Sequence, residues 1–487
     1  MAKKKKKVIL VQPTGYNWIP EQRDITRKVN VMVPVGLCSI ASFLEAKNIE
    51  TIILDGYAKP MELKEWVKII LDEKPDFLGI STTTSSFLEG VQLASAVKKV
   101  APEIRNVFGG VHVSAIKEKC IADFPVIDFA VVGEGEETLF EIIERDGKDI
   151  EDVEGIVYRG KDSNDIKFTG IRKKTLNLDS LPFPAYDKLD GFPESYRLPI
   201  FSYSAEPATN VISSRGCPYA CSYCDRSVFG RSFRWNSGEY VHSLMSWLKK
   251  RWGIKHITFY DDIFTANRKR VESLCKILID HPLDMTFYCA VRANHLDEEL
   301  LRMLKQAGCW QISFGVESGD PNIVQMHRKE SDLDEIKEKV FMIKKLGMRV
   351  KGLFIIGFPG DTEETIRRTI DYACSVPFDE INVSKFTPFL GAPVYRNIHQ
   401  FGKFEENWEK LNLLNFVFIP EGLTREKLEE LYREFILRFY NRPSVMFNYM
   451  KLMLSSPCHI KRIVQGLPEF SKYLFSLKGL NRQEEKS

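Results

Sequence analysis

Three cysteines, Cys217, Cys221 and Cys224, lie close together in the segment RGCPYACSYCD (215–225), with C-x3-C-x2-C spacing. Thiolates at this spacing can hold one metal cluster, because soft sulfur ligands select iron–sulfur clusters and zinc over hard cations. A closed structural zinc site would need a fourth ligand nearby, and the next cysteine is Cys275. The spacing also makes poor disulfide loops, and nothing indicates secretion. The pattern favours a four-iron cluster with one iron open to a ligand.

An aromatic residue, Tyr223, precedes the last of these cysteines. With it the motif resembles the signature of the radical S-adenosylmethionine (SAM) superfamily. In that family three cysteines hold a 4Fe–4S cluster, and the open iron chelates the amino and carboxylate groups of SAM. One electron from the cluster cleaves SAM to methionine and a 5′-deoxyadenosyl radical, which takes hydrogen from an unactivated carbon. The resemblance implies catalytic and metal-binding roles for Cys217, Cys221 and Cys224, and places Tyr223 at the cofactor.

Strand and helix patterns alternate six times between residues 210 and 386. Each short β-branched or aromatic run is followed by a segment whose apolar residues have helical spacing. Six such units predict a partial α/β barrel rather than one of eight strands, and sites in such barrels lie at the carboxyl ends of the strands. The predicted strands are residues 210–213, 256–260, 286–291, 310–316, 350–356 and 380–386.

Charged side chains follow the second and third of these strands. Asp261 and Asp262 match family residues that hold the methionyl amino group of SAM, and a carboxylate facing an ammonium makes a charge-assisted hydrogen bond. The alternative for this pair is an N-cap of the next helix. Arg292 is expected either to pair with the methionyl carboxylate or to form a surface ion pair.

The fourth and fifth strands end in SFGVESG (313–319) and GFPGDT (357–362). The first segment closely resembles the ribose-binding segment of the radical SAM family, which implies that Glu317 and Ser318 bind the cofactor. The second is similar to the segment near the adenine, which implies the same for Gly357 and Pro359. Because all the strand-end segments occur in the family's order, we assign the barrel to this superfamily.

Residues 8–145 also alternate between strands and helices, which predicts a doubly wound, Rossmann-like parallel sheet with ligands at the carboxyl ends of its strands. There is no G-x-G-x-x-G after the first strand and no P-loop. The segments PVGLCSIASFLE (34–45), STTTSSF (81–87), FGGVHVSA (108–115) and VVGEGE (131–136) instead resemble cobalamin-binding domains that precede radical SAM domains. The predicted cobalamin contacts are Thr14, Ser81, Thr83, Ser85, Gly109, Gly110, His112, Gly133 and Glu134.

The axial ligand of cobalt is not evident in the sequence. Some cobalamin proteins carry a D-x-H-x-x-G motif whose histidine binds cobalt, but here the second strand ends in DGYA (55–58). Either another residue reaches cobalt or no protein side chain does. His112 is interpreted as a loop or phosphate-contacting residue, with a cobalt ligand as the alternative.

The chain divides into four predicted parts: a cobalamin-binding domain (1–147), a hairpin and linker (148–195), the barrel (196–400) and a helical C-terminal region (401–487). The prolines of LPFPAY (181–186) exclude a helix in the linker. Residues 406–414 and 424–453 are predicted to be helical, with a break at Pro443. The aromatics and arginines of 431–447 predict packing on the barrel, with base stacking as the alternative.

Composition narrows the class of protein further. The 487 residues are 44% hydrophobic and carry a net charge of +3, so no overall field favours nucleic acid. No run of about 18 apolar residues predicts a membrane span, although the basic and apolar tail could contact a membrane surface. Ten cysteines without a secretory signal indicate a reducing cytoplasm.

The resemblance predicts an oxygen-sensitive, cobalamin-dependent radical SAM enzyme, a C-methyltransferase acting on an unactivated carbon of a hydrophobic metabolite such as a tetrapyrrole or lipid. It implies an electron donor such as flavodoxin or ferredoxin. The alternative is a non-methylating enzyme of the magnesium-protoporphyrin ester cyclase type, or one that couples carbons. A methylthiotransferase is disfavoured, because residues 1–150 contain only two cysteines. A cobalamin or SAM sensor is disfavoured by the intact cysteine motif.

Overall fold

The computed structural model describes residues 5–15, 30–160 and 165–455. Its first sheet has seven strands in the order β2-β1-β3-β4-β5-β6-β7. The first five pair in parallel, and both faces of β1 are buried, as expected where helices cover a parallel sheet. The strands are β1 (Lys7–Gln12), β2 (Glu50–Asp55), β3 (Phe77–Ser81), β4 (Arg105–Gly109), β5 (Phe129–Val131), β6 (Ile156–Arg159) and β7 (Ile166–Phe168).

Helices separate the parallel strands and form the two outer layers of this part of the molecule. Two apolar clusters lie on opposite faces of the sheet, since Val8 and Leu10 of β1 belong to one and Ile9 and Val11 to the other. The doubly wound fold is therefore confirmed. The helices are α1 (Val35–Ala46), α2 (Leu63–Glu73), α3 (Phe87–Val100), α4 (Val111–Ile116), α5 (Glu118–Asp123) and α6 (Glu136–Glu144).

The predicted hairpin of the connector is present as β6 and β7, which extend the first sheet in antiparallel pairing. Residues 177–207 then cross to the second sheet. Tyr186 is buried there, and its hydroxyl donates to the carbonyl of Asn210 at 2.8 Å. The side chain of Asn210 in turn bonds both backbone groups of Val33, so the first strand of the barrel is fixed to the chain just before α1.

The second sheet has six parallel strands in the order β15-β14-β13-β12-β11-β8, which is the predicted half-barrel. Alternate residues face the covering helices, as in β14, where Val350 and Phe354 are buried in the large core. The strands are β8 (Ala208–Val211), β11 (His256–Phe259), β12 (Thr286–Val291), β13 (Cys309–Glu317), β14 (Arg349–Ile356) and β15 (Glu380–Lys385), with a two-stranded ribbon of β9 (Ser214–Arg215) and β10 (Arg234–Trp235) above them.

Amphipathic helices cover the barrel, and side-chain caps define where most of them begin. Ser237, Asn267, Asp297 and Asp332 each accept a hydrogen bond from the first helical turn that follows. The helices are α7 (Gly238–Trp252), α8 (Arg268–Asp280), α9 (Glu298–Gln306), α10 (Pro321–Met326), α11 (Leu333–Lys345) and α12 (Glu363–Ser375).

The C-terminal region differs in part from its prediction. Residues 406–414 are not an α-helix: they contain one 3₁₀ turn, Trp408–Lys410, between the paired strands β16 (Gly402–Phe404) and β17 (Phe418–Pro420). Trp408 is partly buried against the first domain, a tertiary contact that the helical pattern of the segment does not indicate. The predicted helix after residue 424 is present as α13 (Arg425–Tyr440) and α14 (Pro443–Ser455). The basic tail lies outside the described residues. No helix in the described part is long and apolar enough to cross a membrane.

Candidate active site

The loop that carries the three cysteines leaves the ribbon strand β9 by a sharp turn. Gly216 has φ of 88°, and a Cβ there would overlap the carbonyl oxygen of Ser232. The backbone N–H of Gly216 donates to Asp262 Oδ2 at 3.0 Å. Only glycine fits this conformation and this close approach, and the turn fixes where Cys217 begins the loop.

The thiols of Cys217, Cys221 and Cys224 are free and lie on one short loop, but within the described residues they are not arranged as a preformed metal site. Burial, followed by neighbouring negative charge, raises the pKa of Cys217 and raises that of Cys224 to about 12. Without a metal these two thiols are therefore protonated at neutral pH. Metal binding must displace their protons, as it does at thiolate sites generally.

Two histidines anchor the cysteine loop to the barrel. His327 Nε2 donates to the carbonyl of Pro359 at 2.9 Å, and its Nδ1 lies 2.8 Å from Ser222 Oγ. His295 Nε2 lies 2.6 Å from the hydroxyl of Tyr219. The loop is thus tied to the ends of two different strands, which holds its cysteines in place before any metal binds.

Arg292 and Tyr223 support the same loop. The guanidinium of Arg292 lies 3.6 Å from the ring centroid of Tyr219, a close cation–π contact, and it also donates to the carbonyl of Glu330. The ring of Tyr223 packs edge-on against Phe358, with centroids 5.2 Å apart. Arg292 is therefore buried beside the cysteine loop and is not a surface ion pair.

The two predicted aspartates have different environments. Asp261 is buried in the wall, where it accepts from the backbone N–H and hydroxyl of Ser213 at 2.6 and 2.7 Å and lies 3.7 Å from Arg270. Asp262 faces the cysteine loop, where it accepts from the backbone N–H of Gly216. Asp262 is exposed whereas Asp261 is buried, so Asp262 is the one placed to meet a ligand.

Glu317 lies at the end of β13 in a conformation that non-glycine residues rarely adopt, with φ of 68°. Its carboxylate accepts from Lys329 Nζ at 3.0 Å. A Cβ on Gly315 would lie 2.5 Å from Glu317 Oε1, so the glycine leaves room for this pair. Such backbone strain clusters at functional sites. Ser318 instead faces α12, where its hydroxyl lies 3.1 Å from that of Thr369.

The loop after β14 is held by one buried carboxylate. Asp361 accepts from the backbone N–H groups of Gly357 and Phe358, each at 2.9 Å. Burial raises the pKa of Asp361 to about 7 although these hydrogen bonds oppose the shift. Gly357 has φ of 82°, so the turn itself requires glycine. The loop presents the backbone at the mouth of the barrel.

A cleft with roughly 1160 Å³ of empty space, including the part open to solvent, lies between the first sheet and the cysteine loop. Most of its wall is apolar or backbone. From the first domain it is lined by strand-end residues that include Ser81, Gly109, Gly110, Gly133 and Glu134, and from the barrel by Arg215, Val228 and Phe229.

Glycines let the backbone form this cleft. Gly110 has φ of 99°, and a Cβ there would lie 2.5 Å from the carbonyl oxygen of Thr82. A Cβ on Gly79 would lie 2.9 Å from the side chain of Leu10. These two glycines therefore let neighbouring backbone and side chains pack closely at the strand ends.

Several predicted cobalamin contacts lie outside the lining of the cleft. Thr14 is buried and donates to Glu89 at 2.8 Å. Thr83 and Ser85 share a neighbouring loop, with their hydroxyls 3.3 Å apart. His112 is buried between Phe87 and Trp408, and burial lowers its pKa to about 4. Its Nδ1 lies 3.3 Å from Thr84 Oγ1, and its ring is covered by the C-terminal region rather than directed into the cleft.

A buried charge network joins the two sides of the cleft. Arg215 Nη1 donates to Glu134 and Nη2 to Glu136, both at 2.6 Å. Arg234, opposite Arg215 in the ribbon, also donates to both oxygens of Glu134. Ser39 of α1 donates to Glu136 at 2.7 Å. Glu134 is thus engaged by protein cations within the cleft wall.

The residues that sequence reasoning missed are those whose partners are distant in the chain. Arg215 lies two residues before the first cysteine of the motif, but nothing in the sequence indicates its partners in the first domain. Lys329 and His327 follow the fourth strand without any recognisable motif. Their roles depend on tertiary contacts alone.

With this geometry in place, two family profiles identify the halves of the molecule. The radical SAM superfamily profile matches residues 211–373, and the B12-binding domain profile matches residues 25–143. They cover the half-barrel with its cysteine loop and the doubly wound sheet with its glycine-lined cleft.

Relatives extend the similarity over nearly the whole chain. An uncharacterized methyltransferase of Pyrococcus horikoshii is 31% identical over 468 residues, covering 95% of this chain and 98% of the relative. The anaerobic magnesium-protoporphyrin IX monomethyl ester cyclase of Rubrivivax gelatinosus is 24% identical over 86% of this chain and 76% of its own length. The structure of the cobalamin-dependent radical SAM enzyme OxsB, with aqua-cobalamin and SAM bound, has a TM-score of 0.72 at 16% identity, covering 92% of this chain and 75% of that one.

The chain belongs to the cobalamin-binding radical SAM superfamily, and its cofactors are a 4Fe–4S cluster, SAM and cobalamin. The predicted family, fold class and cofactors are thereby confirmed. The residues fit these groups chemically: three free thiols on one short loop suit a cluster with an open iron, and a largely apolar cleft lined by glycines suits a corrinoid.

Proposed function

We propose that this enzyme is a C-methyltransferase that acts on an unactivated carbon of a hydrophobic metabolite. The observation that carries the proposal is the shared wall of the cleft, where residues of the cysteine loop and the glycine-rich strand ends of the B12-binding domain line one space. The methyltransferase name of the Pyrococcus horikoshii relative, which covers nearly the whole chain, supports it.

Each side chain has a proposed task. Cys217, Cys221 and Cys224 bind the cluster, and Asp262, Arg292 and Glu317 contact SAM. When bound, the cluster and SAM supply a carbon-centred radical, and cobalamin supplies a methyl group. Gly109, Gly110 and Gly133 let the backbone approach the corrinoid, while the apolar cleft wall excludes water from the reacting carbon. Asp261, Ser318 and Thr14 support the walls of these sites.

We also propose a class of substrate and a class of electron donor. The largely apolar lining of the cleft favours a hydrophobic substrate. A small redox protein such as flavodoxin or ferredoxin is the proposed source of the electron.

We also propose domain limits at residues 147, 195 and 400.

A ring-forming or carbon-coupling reaction is the second candidate, and the similarity to the ester cyclase of Rubrivivax gelatinosus favours it. The two candidates share radical formation and differ in the fate of the methyl group.

Methyl-labelled SAM separates the two candidates. The anaerobically reconstituted enzyme would be incubated with labelled SAM, a reductant and a metabolite extract of the source cells. We expect label in a carbon-bound methyl group of the product, and none when Cys221→Ala replaces the native enzyme. A new unlabelled product together with 5′-deoxyadenosine would contradict methyl transfer and support cyclisation or coupling.

A further inference from the structure

We propose that Arg215 is a positioning residue that couples the cobalamin domain to the cluster loop, so that each cofactor site is held in shape by the other. The inference rests on the proposed function, since it assumes that the cleft holds cobalamin and that the three cysteines hold the cluster.

The guanidinium of Arg215 bridges two separate carboxylates. Its Nη1 bonds Glu134, which directly follows Gly133 at the end of the fifth strand, and its Nη2 bonds Glu136, the first residue of α6. The same Nη2 lies 3.1 Å from Ser39 Oγ on α1. One guanidinium therefore holds the carboxyl edge of the first sheet and two of the helices that border the cleft.

The backbone of Arg215 is equally well fixed on the barrel side. It pairs with Arg234 in the ribbon, and Arg234 also grips Glu134. The tight turn at Gly216 then leads directly into Cys217. A displacement of the cobalamin domain would therefore be passed to the first cluster ligand through only one intervening residue.

Burial makes this network different from the surface ion pairs of the molecule. The side chains of Arg215 and Glu134 are each 14% exposed, and those of Glu136 and Arg234 are 8% and 6% exposed. Removal of one member by substitution would leave a buried charge without its partner, which is far costlier than loss of an exposed pair. Lysine could not replace Arg215, because an ammonium cannot bridge two carboxylates in the fixed fork of a guanidinium.

The consequence is reciprocal. If the docked position of the cobalamin domain and the shape of the cluster loop depend on one another, cobalamin binding must favour the cluster-competent loop, and the intact loop must favour cobalamin binding. A substitution on one side of the network should then be felt at the cofactor of the other side.

The test measures both cofactors in Arg215→Lys, on the barrel side, and Glu136→Gln, on the cobalamin side. Hydroxocobalamin would be titrated into reconstituted protein by visible absorbance, and the reduced cluster would be followed by its EPR spectrum and by iron content. We expect each variant to bind hydroxocobalamin about tenfold more weakly, as for losses of groups that orient ligands, and to show an altered cluster spectrum.

Arg268→Lys is the matched control, because Arg268 also bonds two carboxylates, Glu272 and Asp297, but at an exposed position on a barrel helix. It should behave as the native protein in both measurements. Thermal unfolding checks that each variant is folded. If Arg215→Lys does not fold, the same two measurements on Glu136→Gln decide the test. Native-like cofactor properties in the folded variants, or an effect confined to the nearer cofactor, would overturn the proposal. Methyl transfer is not measured, so failure of the proposed reaction would be seen separately.

Discussion

The carboxyl ends of the two parallel sheets carry different chemistry. At the half-barrel they present charged and polar groups, among them Asp262, Arg292 and the Glu317–Lys329 pair. At the first sheet they present glycines and apolar side chains around a cleft, where the carboxylates of Glu134 and Glu136 are already paired with Arg215. The barrel thus offers directed contacts for a small, highly charged cofactor, whereas the cleft offers shape and volume for a large one.

The two sites should therefore be sensitive to different kinds of substitution. The barrel site should fail when a single polar partner is removed, because a buried charge is then left unpaired. The cleft should fail when volume is added at Gly110, because a Cβ there would lie 2.5 Å from the carbonyl oxygen of Thr82. Substitutions of the two types therefore test how far damage at one site reaches the cofactor of the other.

Loss of a cluster ligand should have the largest effect, and most of that effect should fall on the barrel. We expect Cys221→Ala to lose bound iron and SAM cleavage entirely, while still binding hydroxocobalamin, although more weakly than the native protein because of the Arg215 network. The matched variant is Cys275→Ala, since Cys275 is also buried but lies on α8 away from the loop. Iron analysis and 5′-deoxyadenosine formation report the result. Retained SAM cleavage in Cys221→Ala would refute the assignment of the ligands.

Added volume should break the cleft in the same selective way. Gly110→Val introduces a branched side chain at φ of 99° and 2.5 Å from the carbonyl of Thr82. The strained backbone alone costs about 1–3 kcal/mol, and the overlap displaces the strand end. We expect hydroxocobalamin binding to weaken by more than about tenfold, with iron content unchanged. Unchanged affinity in the titration would remove Gly110 from the cobalamin site.

Removal of Lys329 tests whether the charged groups at the mouth of the barrel contribute to SAM binding. Lys329→Met leaves the buried carboxylate of Glu317 without its cation. We expect SAM to bind about tenfold more weakly, which corresponds to about 1.5 kcal/mol for a lost hydrogen bond to a charged group. Equilibrium dialysis with labelled SAM measures this. Lys337→Met, on the exposed side of α11, should bind SAM as the native enzyme does. Equal affinities in both variants would show that the pair has no role.

The smallest effect is a pH dependence of stability from Asp361. Its folded pKa is raised to about 7, above the usual value of 3.8, chiefly by burial. Its stabilising contribution is therefore fully present below about pH 4 and is lost as the pH rises through about 7. The midpoint temperature of thermal unfolding should decrease as the pH is raised from 5 to 8. The decrease should be smaller in Asp361→Asn. An identical pH profile for the two proteins would contradict a protonated, buried carboxyl.

Local pattern predicted most of the fold, and distant contacts determined the rest. Alternating strands and helices and the cysteine spacing were sufficient for the two sheets and the cluster loop. Asp261 and Asp262 lie in the loop after β11, so no strand alternation separates their environments. The ring contact between His112 and Trp408 joins residues almost 300 positions apart. No local pattern indicates that contact, or the 3₁₀ turn found within 406–414 in place of the predicted helix.

Metal analysis of one sample tests the central claim that both cofactors belong to this chain and serve one site. Protein reconstituted anaerobically with iron, sulfide and hydroxocobalamin would be desalted and analysed for iron and cobalt. We expect about four irons and about one cobalt per chain, with iron lost but most of the cobalt retained in Cys221→Ala. Iron without stoichiometric cobalt, or loss of both metals in that variant, would contradict the claim.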